Sequence, residues 1–286
     1  MAPLAPRRRR ANAPLRRRRG VRQHVAMAPA PASPPVTIVT GASRGIGHAI
    51  AAALAAAGHR LTLAARDAGR LDEVATRLRA RGAEVVAIAA DLREPEAADR
   101  VVAAAQQHFG PPTAVVNNAG TAPADKVENT SLATLHETFD LHVAAPLAFA
   151  RACVPAMKKR GGGCLLHLAS TAGLRGFPFT SAYTACKHGM VGLARALHAE
   201  LAGAGIDVYA VCPGFVDTDI TRSAAAAVAA RGKIGADEAF RRMAEQNRIG
   251  RMHSAEEVAA AVAALLRDRP AGCVYDLDRE PAAFVD

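Results

Sequence analysis

The sequence predicts an α/β protein built on one doubly wound parallel sheet of seven strands, with helices on both faces. Three observations carry this reading. Short β-like runs alternate with helix-like runs from residue 36 onward, the pattern of a parallel sheet covered on both sides. A glycine cluster stands between the first strand and the first helix. Polar and flexible residues end several strands, at the edge where such sheets place their ligands.

The elements follow in order. Val36 to Val39 is a first strand, and Ile46 to Ala57 an alanine-rich helix stopped by Gly58. Arg60 to Ala65 is a second strand, followed by a charged helix to Arg81 that ends at Gly82. Glu84 to Ala89 and Pro95 to His108 are the third strand and helix, and Ala114 to Asn117 the fourth strand. Leu132 to Lys159 reads as a long helical stretch, with Pro146 and Pro155 as boundaries or kinks. Cys164 to Leu168 is a strand leading into Ser170, Ala182 to Leu201 a helix, and Ile206 to Cys212 a strand ended by Pro213 and Gly214. Residues 217 to 250 are mostly helical and irregular, a cover segment; Glu256 to Leu266 is a helix and Cys273 to Leu277 the last strand.

The 286 residues, half of them hydrophobic, suffice for one domain, read here as residues 35–286. The net charge of +10 resembles a nucleic-acid signal until it is located: Arg7 to Arg10, Arg16 to Arg19 and Arg22 supply nine positive charges, and the remainder is nearly neutral. Residues 1–34, rich in Arg, Pro and Ala, read as a disordered extension, with Met27 as a possible true start. A targeting peptide or a nucleic-acid or membrane-surface arm are the other accounts of that extension. No apolar run reaches the 18 residues of a membrane span. The five cysteines are odd in number and widely spaced, so neither a disulfide framework nor a metal site is expected, and a cytoplasmic setting is.

The strongest local signal is Thr40, Gly41, Ala42, Ser43, Arg44, Gly45, Ile46 and Gly47, spaced G-x3-G-x-G between strand and helix. Glycines let a pyrophosphate approach the helix amino terminus, whose free N–H groups and dipole favour anions. A tight turn is the plainer alternative for the glycines alone. The second strand ends in Ala64, Ala65 and Arg66, where an acid would hold the ribose hydroxyls of NAD. Arg66 and Arg44 can close on a 2′-phosphate, so NADP(H) is favoured and NAD(H) remains possible. Asp67 either counters that preference or caps the next helix. Asp91 and Leu92 are candidates for lining the adenine, and Asn118, Ala119 and Gly120 for the floor of the cofactor site; the asparagines have a structural alternative.

Tyr183 and Lys187, four residues apart, share a helix face. An ammonium beside a phenol favours the phenolate and eases proton transfer to or from a substrate oxygen. Ser170, thirteen residues before Tyr183, can polarise the same oxygen. Its neighbours Ala169 and Thr171 are not those of a nucleophile elbow.

Together these motifs, with N-N-A-G at 117–120 and P-G at 213–214, resemble the classical short-chain dehydrogenase/reductase family over about residues 36–278, including 3-oxoacyl-carrier-protein reductases and polyketide ketoreductases. The resemblance implies a Rossmann-type domain assembled as a homotetramer or homodimer through the helices after strands four and five. It implies that Ser170 stabilises, that Tyr183 is the acid/base and that Lys187 lowers its pKa while holding the ribose. Pro213, Gly214, Val216 and Thr218 would meet the carboxamide and pyrophosphate end of the cofactor. Where the family has a catalytic asparagine that holds a water, this chain reads Leu141, His142, Val143, so His142 is expected to hold that water and to shuttle protons near neutral pH; His136 is expected on the surface. The family's terminal D-G-G is replaced by Asp276, Leu277, Asp278, Arg279 and Glu280.

A substrate wall is expected from Phe177, Phe179, Phe215 and Met243, with Arg175, Arg241 and Arg242 either meeting an acidic tail or facing water. The expected function is NADPH-dependent reduction of a small-molecule carbonyl. Oxidation of a secondary alcohol and non-catalytic cofactor binding are the alternatives.

Overall fold

The computed structural model describes residues 33–285 apart from Lys233, and the backbone alone at Ala227 and Arg231. The expectations for the arginine-rich extension and for Met27 fall on residues 1–32, outside the described residues.

Valine, isoleucine and leucine runs form the central strands, buried on both faces as parallel strands require. They are β1 (Val36–Thr40), β2 (Arg60–Ala65), β3 (Val85–Ala89), β4 (Ala114–Asn117), β5 (Gly163–Leu168), β6 (Ile206–Cys212) and β7 (Val274–Asp276). The order of the first seven strands is β3-β2-β1-β4-β5-β6-β7, all parallel, so strand order reverses between β1 and β4 and opens a crevice at their carboxyl ends. The eighth strand, β8 (Ala283–Phe284), corrects the expected count of seven and is antiparallel to β7. It forms because Phe284 packs edge-on against Tyr275, ring centroids 5.2 Å apart.

One core layer is packed under α1 (Gly45–Ala56), α2 (Ala68–Arg79) and α9 (Ala255–Asp268). The other lies under α3 (Ala97–Phe109), α5 (Ala145–Arg160) and α6 (Ser181–Leu201). The expected single helix over 132–159 is α4 (Leu132–Phe139) and α5 joined by a π-helical turn, Asp140–Ala144. Pro146, which has no N–H to donate, sits just beyond that wide turn and ends no helix. The cover consists of α7 (Asp219–Arg231) and α8 (Ala236–Glu245).

Candidate active site

The glycine loop leaves β1 through Gly41 at φ 66° and enters α1 through Gly45 at φ 53°, both left-handed. A Cβ on Gly47 would overlap the Gly41 carbonyl oxygen, so the turn closes only around hydrogen. Arg44 at the helix entrance makes no side-chain cap, and the first turn of α1 holds no acid. Its first N–H groups are thus left without a side-chain acceptor at the helix entrance.

Thr40 and Asn118 stitch this loop to the end of β4. The Thr40 hydroxyl accepts from the Asn118 and Ala119 N–H groups at 2.9 and 3.0 Å. The Asn118 amide donates to the carbonyls of Thr40 at 2.9 Å and Gly41 at 3.3 Å. Asn118 thus takes the structural role among its two alternatives, shaping the glycine loop from below. On the opposite wall the Thr218 methyl would lie 3.5 Å from a Cβ on Gly45, which places the loop after β6 directly against the glycine loop.

Asp67 is the cap of α2: its carboxylate accepts from the Arg70 N–H at 3.0 Å. Arg66, between the end of β2 and this cap, is exposed. Among the described residues neither Arg44 nor Arg66 enters an ion pair, so both guanidinium groups are available to a phosphate. Asp91 is taken up by Arg93, 2.6 Å away, which holds its carboxyl down at about 2. Its side chain serves the turn after β3, and buried Leu92 supplies apolar surface beside it.

Ser170 follows β5 and caps a short turn, its oxygen accepting from the Ala172 N–H at 3.1 Å. Its own hydroxyl lies near enough to Tyr183 to favour the ionised phenol. Lys187, one turn further along α6, is 5% exposed and donates to the Leu168 carbonyl at 2.6 Å. Its ammonium lies 5.6 Å from the Tyr183 ring centre. Burial lowers Lys187 to about 7 and pushes the Tyr183 phenol upward, a shift that the Ser170 hydroxyl opposes. The expected depression of the tyrosine by the lysine is outweighed here by desolvation of the phenol.

His142 sits in the π-helical turn, where the extra residue per turn drives its ring inward. The ring fills the space above Gly120, where a Cβ would come within 2.7 Å of it, and meets Tyr183 edge-on at 5.8 Å. Its Nε2 faces both the N–H and the carbonyl of Thr121, at 3.1 and 3.0 Å. Nδ1 is buried without a protein partner. Burial, reinforced by Lys187, moves the imidazole well below its ordinary pKa. This corrects the expectation of a proton shuttle titrating near neutral pH: the ring is held neutral. His136 lies exposed on α4, as expected.

Phe177 and Phe215 form one aromatic wall, edge to face at 6.0 Å, with the Arg175 guanidinium 4.9 Å above the Phe177 ring. Phe179 is 63% exposed at φ 65° and its carbonyl accepts from the Asp125 N–H at 2.8 Å, joining two loops at the mouth. Met243 is half-buried on α8. Arg241 and Arg242 are both engaged by Glu238, so neither is aimed at a substrate. All five cysteines are buried and reduced, and no metal-binding group occurs among the described residues. No helix among them is long and apolar enough to cross a membrane.

Sequence motifs include Thr40 without its bonding role, mark Asp278 only as a departure from the family's terminal pattern, and pass over Asn247 and His253. Asn247, His253 and Asp278 lie behind the Pro213–Thr218 loop and come together only through the fold.

The chain is similar to several known proteins. A ketoacyl reductase ascribed to the granaticin polyketide synthase of Streptomyces violaceoruber is 36% identical over 244 residues, 84% of this chain and 89% of that protein. The L-sorbose reductase of Gluconobacter frateurii, solved with NADPH and L-sorbose, superposes with a TM-score of 0.80 at 29% identity, over 85% of this chain and 95% of that one. A tryptophan variant of actinorhodin polyketide ketoreductase, solved with NADPH, gives 0.81 at 31% identity over 85% and 95%. A family model described as short chain dehydrogenase matches residues 35–229, and the chain belongs to that family.

Proposed function

We propose that the protein is an NADPH-dependent carbonyl reductase in which Tyr183 protonates the substrate oxygen. The observation that carries this is the convergence of Ser170, Tyr183 and Lys187, from β5 and α6, beside an uncapped helix N-terminus shaped by Gly41 and Gly47.

The residues fit the cofactor. The α1 N–H groups and Ser43 would take the pyrophosphate, Arg44 and Arg66 the 2′-phosphate, and Leu92, in the turn that the Asp91–Arg93 pair closes, the adenine edge. Ala119 and Gly120 form the floor, while Pro213, Gly214, Val216 and Thr218 border the carboxamide end. When bound, NADPH supplies the hydride for the carbonyl carbon. Tyr183 gives its hydroxyl proton to the oxygen, so ketone, hydride and proton make the alcohol. Ser170 donates a hydrogen bond to the developing alkoxide, and the Lys187 ammonium stabilises the phenolate left behind. His142, neutral and anchored to Thr121, offers its free Nδ1 to a water in the place of the family's asparagine amide. Initial rates with NADPH and NADH over aliphatic ketones, diketones, quinones and β-ketoacyl thioesters test the reading; ketone-independent or absent NADPH oxidation across the panel would sink it.

Replacing both Arg44 and Arg66 by Ala is expected to raise the KM for NADPH about 10- to 100-fold and leave that for NADH nearly unchanged, since only the 2′-phosphate loses charge-assisted bonds. Steady-state titration of each nucleotide checks this.

Lys187 fixes the pH profile. It is charged below about 7 and neutral above, whereas Tyr183, pushed upward, stays a proton donor and His142 stays uncharged. The kcat/KM for ketone reduction is therefore expected to fall as pH rises through about 7. A plateau extending past pH 9 would assign the falling limb to Tyr183 instead.

The aromatic wall favours a flat, apolar ketone over a charged one. Exposed Leu132, Phe139 and Leu147 run along α4 and α5 and support association of copies through these helices, as a dimer or tetramer. Five reduced, buried thiols suit a reducing cytoplasm.

A further inference from the structure

Behind the loop after β6 lies a buried polar cluster that no motif of the site includes. Asn247, His253, Asp276 and Asp278 are each at most 4% exposed, and they come from three separate segments: the turn after α8, the entrance to α9 and the end of β7. Burying two carboxylates, an imidazole and an amide is costly unless each is bonded, and here they are bonded to one another and to the loop. His253 Nε2 is 3.2 Å from an Asp278 oxygen, whose other oxygen accepts from the Arg248 N–H at 3.0 Å. Asp276 pairs with the Arg248 guanidinium at 2.9 Å and accepts from the Asp278 N–H at 3.1 Å.

The loop-facing side of this cluster is backbone recognition. The Asn247 carbonyl oxygen accepts from the Phe215 N–H at 2.7 Å, and its amide donates to the Phe215 carbonyl at 2.9 Å and to the Arg251 carbonyl at 2.7 Å. His253 closes a parallel bridge with Val216: its N–H donates to Phe215 at 3.0 Å and its carbonyl accepts from Asp217 at 2.8 Å. Gly214 is pressed against the cluster so closely that a Cβ would overlap Asn247 and lie 2.8 Å from Asp278. One residue before Asn247, the Gln246 carbonyl accepts from Arg175 at 2.9 Å, the same Arg175 that covers Phe177.

We infer that Asn247, His253 and Asp278 are positioning residues, a brace that sets the Gly214–Thr218 backbone and thereby both Phe215 in the substrate wall and Thr218 beside the glycine loop. None of the three touches the reacting atoms. Asp278 orients His253, His253 and Asn247 hold the loop, and the loop meets cofactor and substrate. The inference rests on the reductase reading for its effect on catalysis, but not for the brace itself.

Two readouts separate these. In hydrogen exchange on the full chain without nucleotide, His253→Ala is expected to speed exchange of the Phe215 and Asp217 amides about tenfold, and His253→Gln, which keeps a donor toward Asp278, to restore protection. In kinetics with NADPH and a ketone, His253→Ala is expected to raise both KM values about tenfold with kcat changed less than about threefold. Asn247→Ala is expected to give the same split and serves if His253→Ala does not unfold cooperatively. Wild-type exchange at Phe215 and Asp217 in both folded alanine variants overturns the brace whatever the enzyme's cofactor. Faster exchange with unchanged KM overturns its role in positioning. A wild-type chain that neither binds nor oxidises NADPH overturns the reductase reading, and with it the catalytic consequence, while the exchange result still decides the brace.

Discussion

Tyr183→Phe is expected to lower kcat for ketone reduction by about three orders of magnitude while leaving NADPH affinity within about twofold of wild type. The substitution removes one oxygen and nothing else. The Phe ring keeps the edge-on contact with His142 at 5.8 Å and the position near the Lys187 ammonium at 5.6 Å. Loss of the hydroxyl costs at most about 1 kcal/mol of stability, too little to unfold the chain. The rate loss follows from chemistry: with no proton at the phenol position the alkoxide would have to take one from water. Ser170→Ala provides the graded comparison, expected to cost about a hundredfold, because a hydrogen bond to the alkoxide is removed but the acid remains. Single-turnover rates with saturating NADPH, alongside nucleotide titration, check both. Comparable losses in NADPH binding would mean that Tyr183 holds the nucleotide and is not the acid.

The alternation of strand and helix was readable because each central strand is a continuous apolar run between turn residues. Ile206–Cys212 coincides with the strand expected there, and Arg60–Ala65 likewise. What escaped was too short or too subtle for periodicity. β8 is two residues long and exists because Phe284 finds Tyr275 and Tyr209, at 5.2 and 6.1 Å, the latter across a sequence separation that no local window spans. The π-helical turn at Asp140–Ala144 adds one residue to a helix whose 3.6-residue rhythm is otherwise kept.

The same division holds for the site. Gly41, Gly45, Gly47, Ser170, Tyr183 and Lys187 were visible because their chemistry is tied to local spacing and to strand ends. The protonation state of His142 was not, since it depends on burial beneath Gly120 and on the field of Lys187, both tertiary. Asp91 reads in the sequence as a candidate for lining the adenine, yet Arg93, two residues on, takes its carboxylate. Asn247, His253 and Asp278 carry no motif, because what they bind is backbone from another segment.

Gly47→Ala is the second large effect, and it separates a cradle from a mere turn. The added Cβ would overlap the Gly41 carbonyl oxygen and the Asn118 amide, and the carbonyl, being backbone, cannot swing aside. Relief requires the glycine loop to shift away from α1 and Asn118 to give up its bonds to Thr40 and Gly41, at 2.9 and 3.3 Å. Overpacking of this kind costs about 1–3 kcal/mol, a fall in Tm of roughly 2–10 °C for a chain of this size. NADPH affinity is expected to fall roughly a hundredfold, since the shifted loop no longer presents the α1 N–H groups to a pyrophosphate. Gly192→Ala, on an open face of α6 with no atom within 4 Å of the new Cβ, is the control. It is expected to add about 0.5–1 kcal/mol through helix propensity and to leave binding alone. The melts of the two variants are expected to shift in opposite directions, and NADPH binding to weaken in Gly47→Ala alone if the loop is an anion cradle. Equal NADPH affinity in Gly47→Ala and wild type would show that the nucleotide does not lie against this helix end, whatever the melt records.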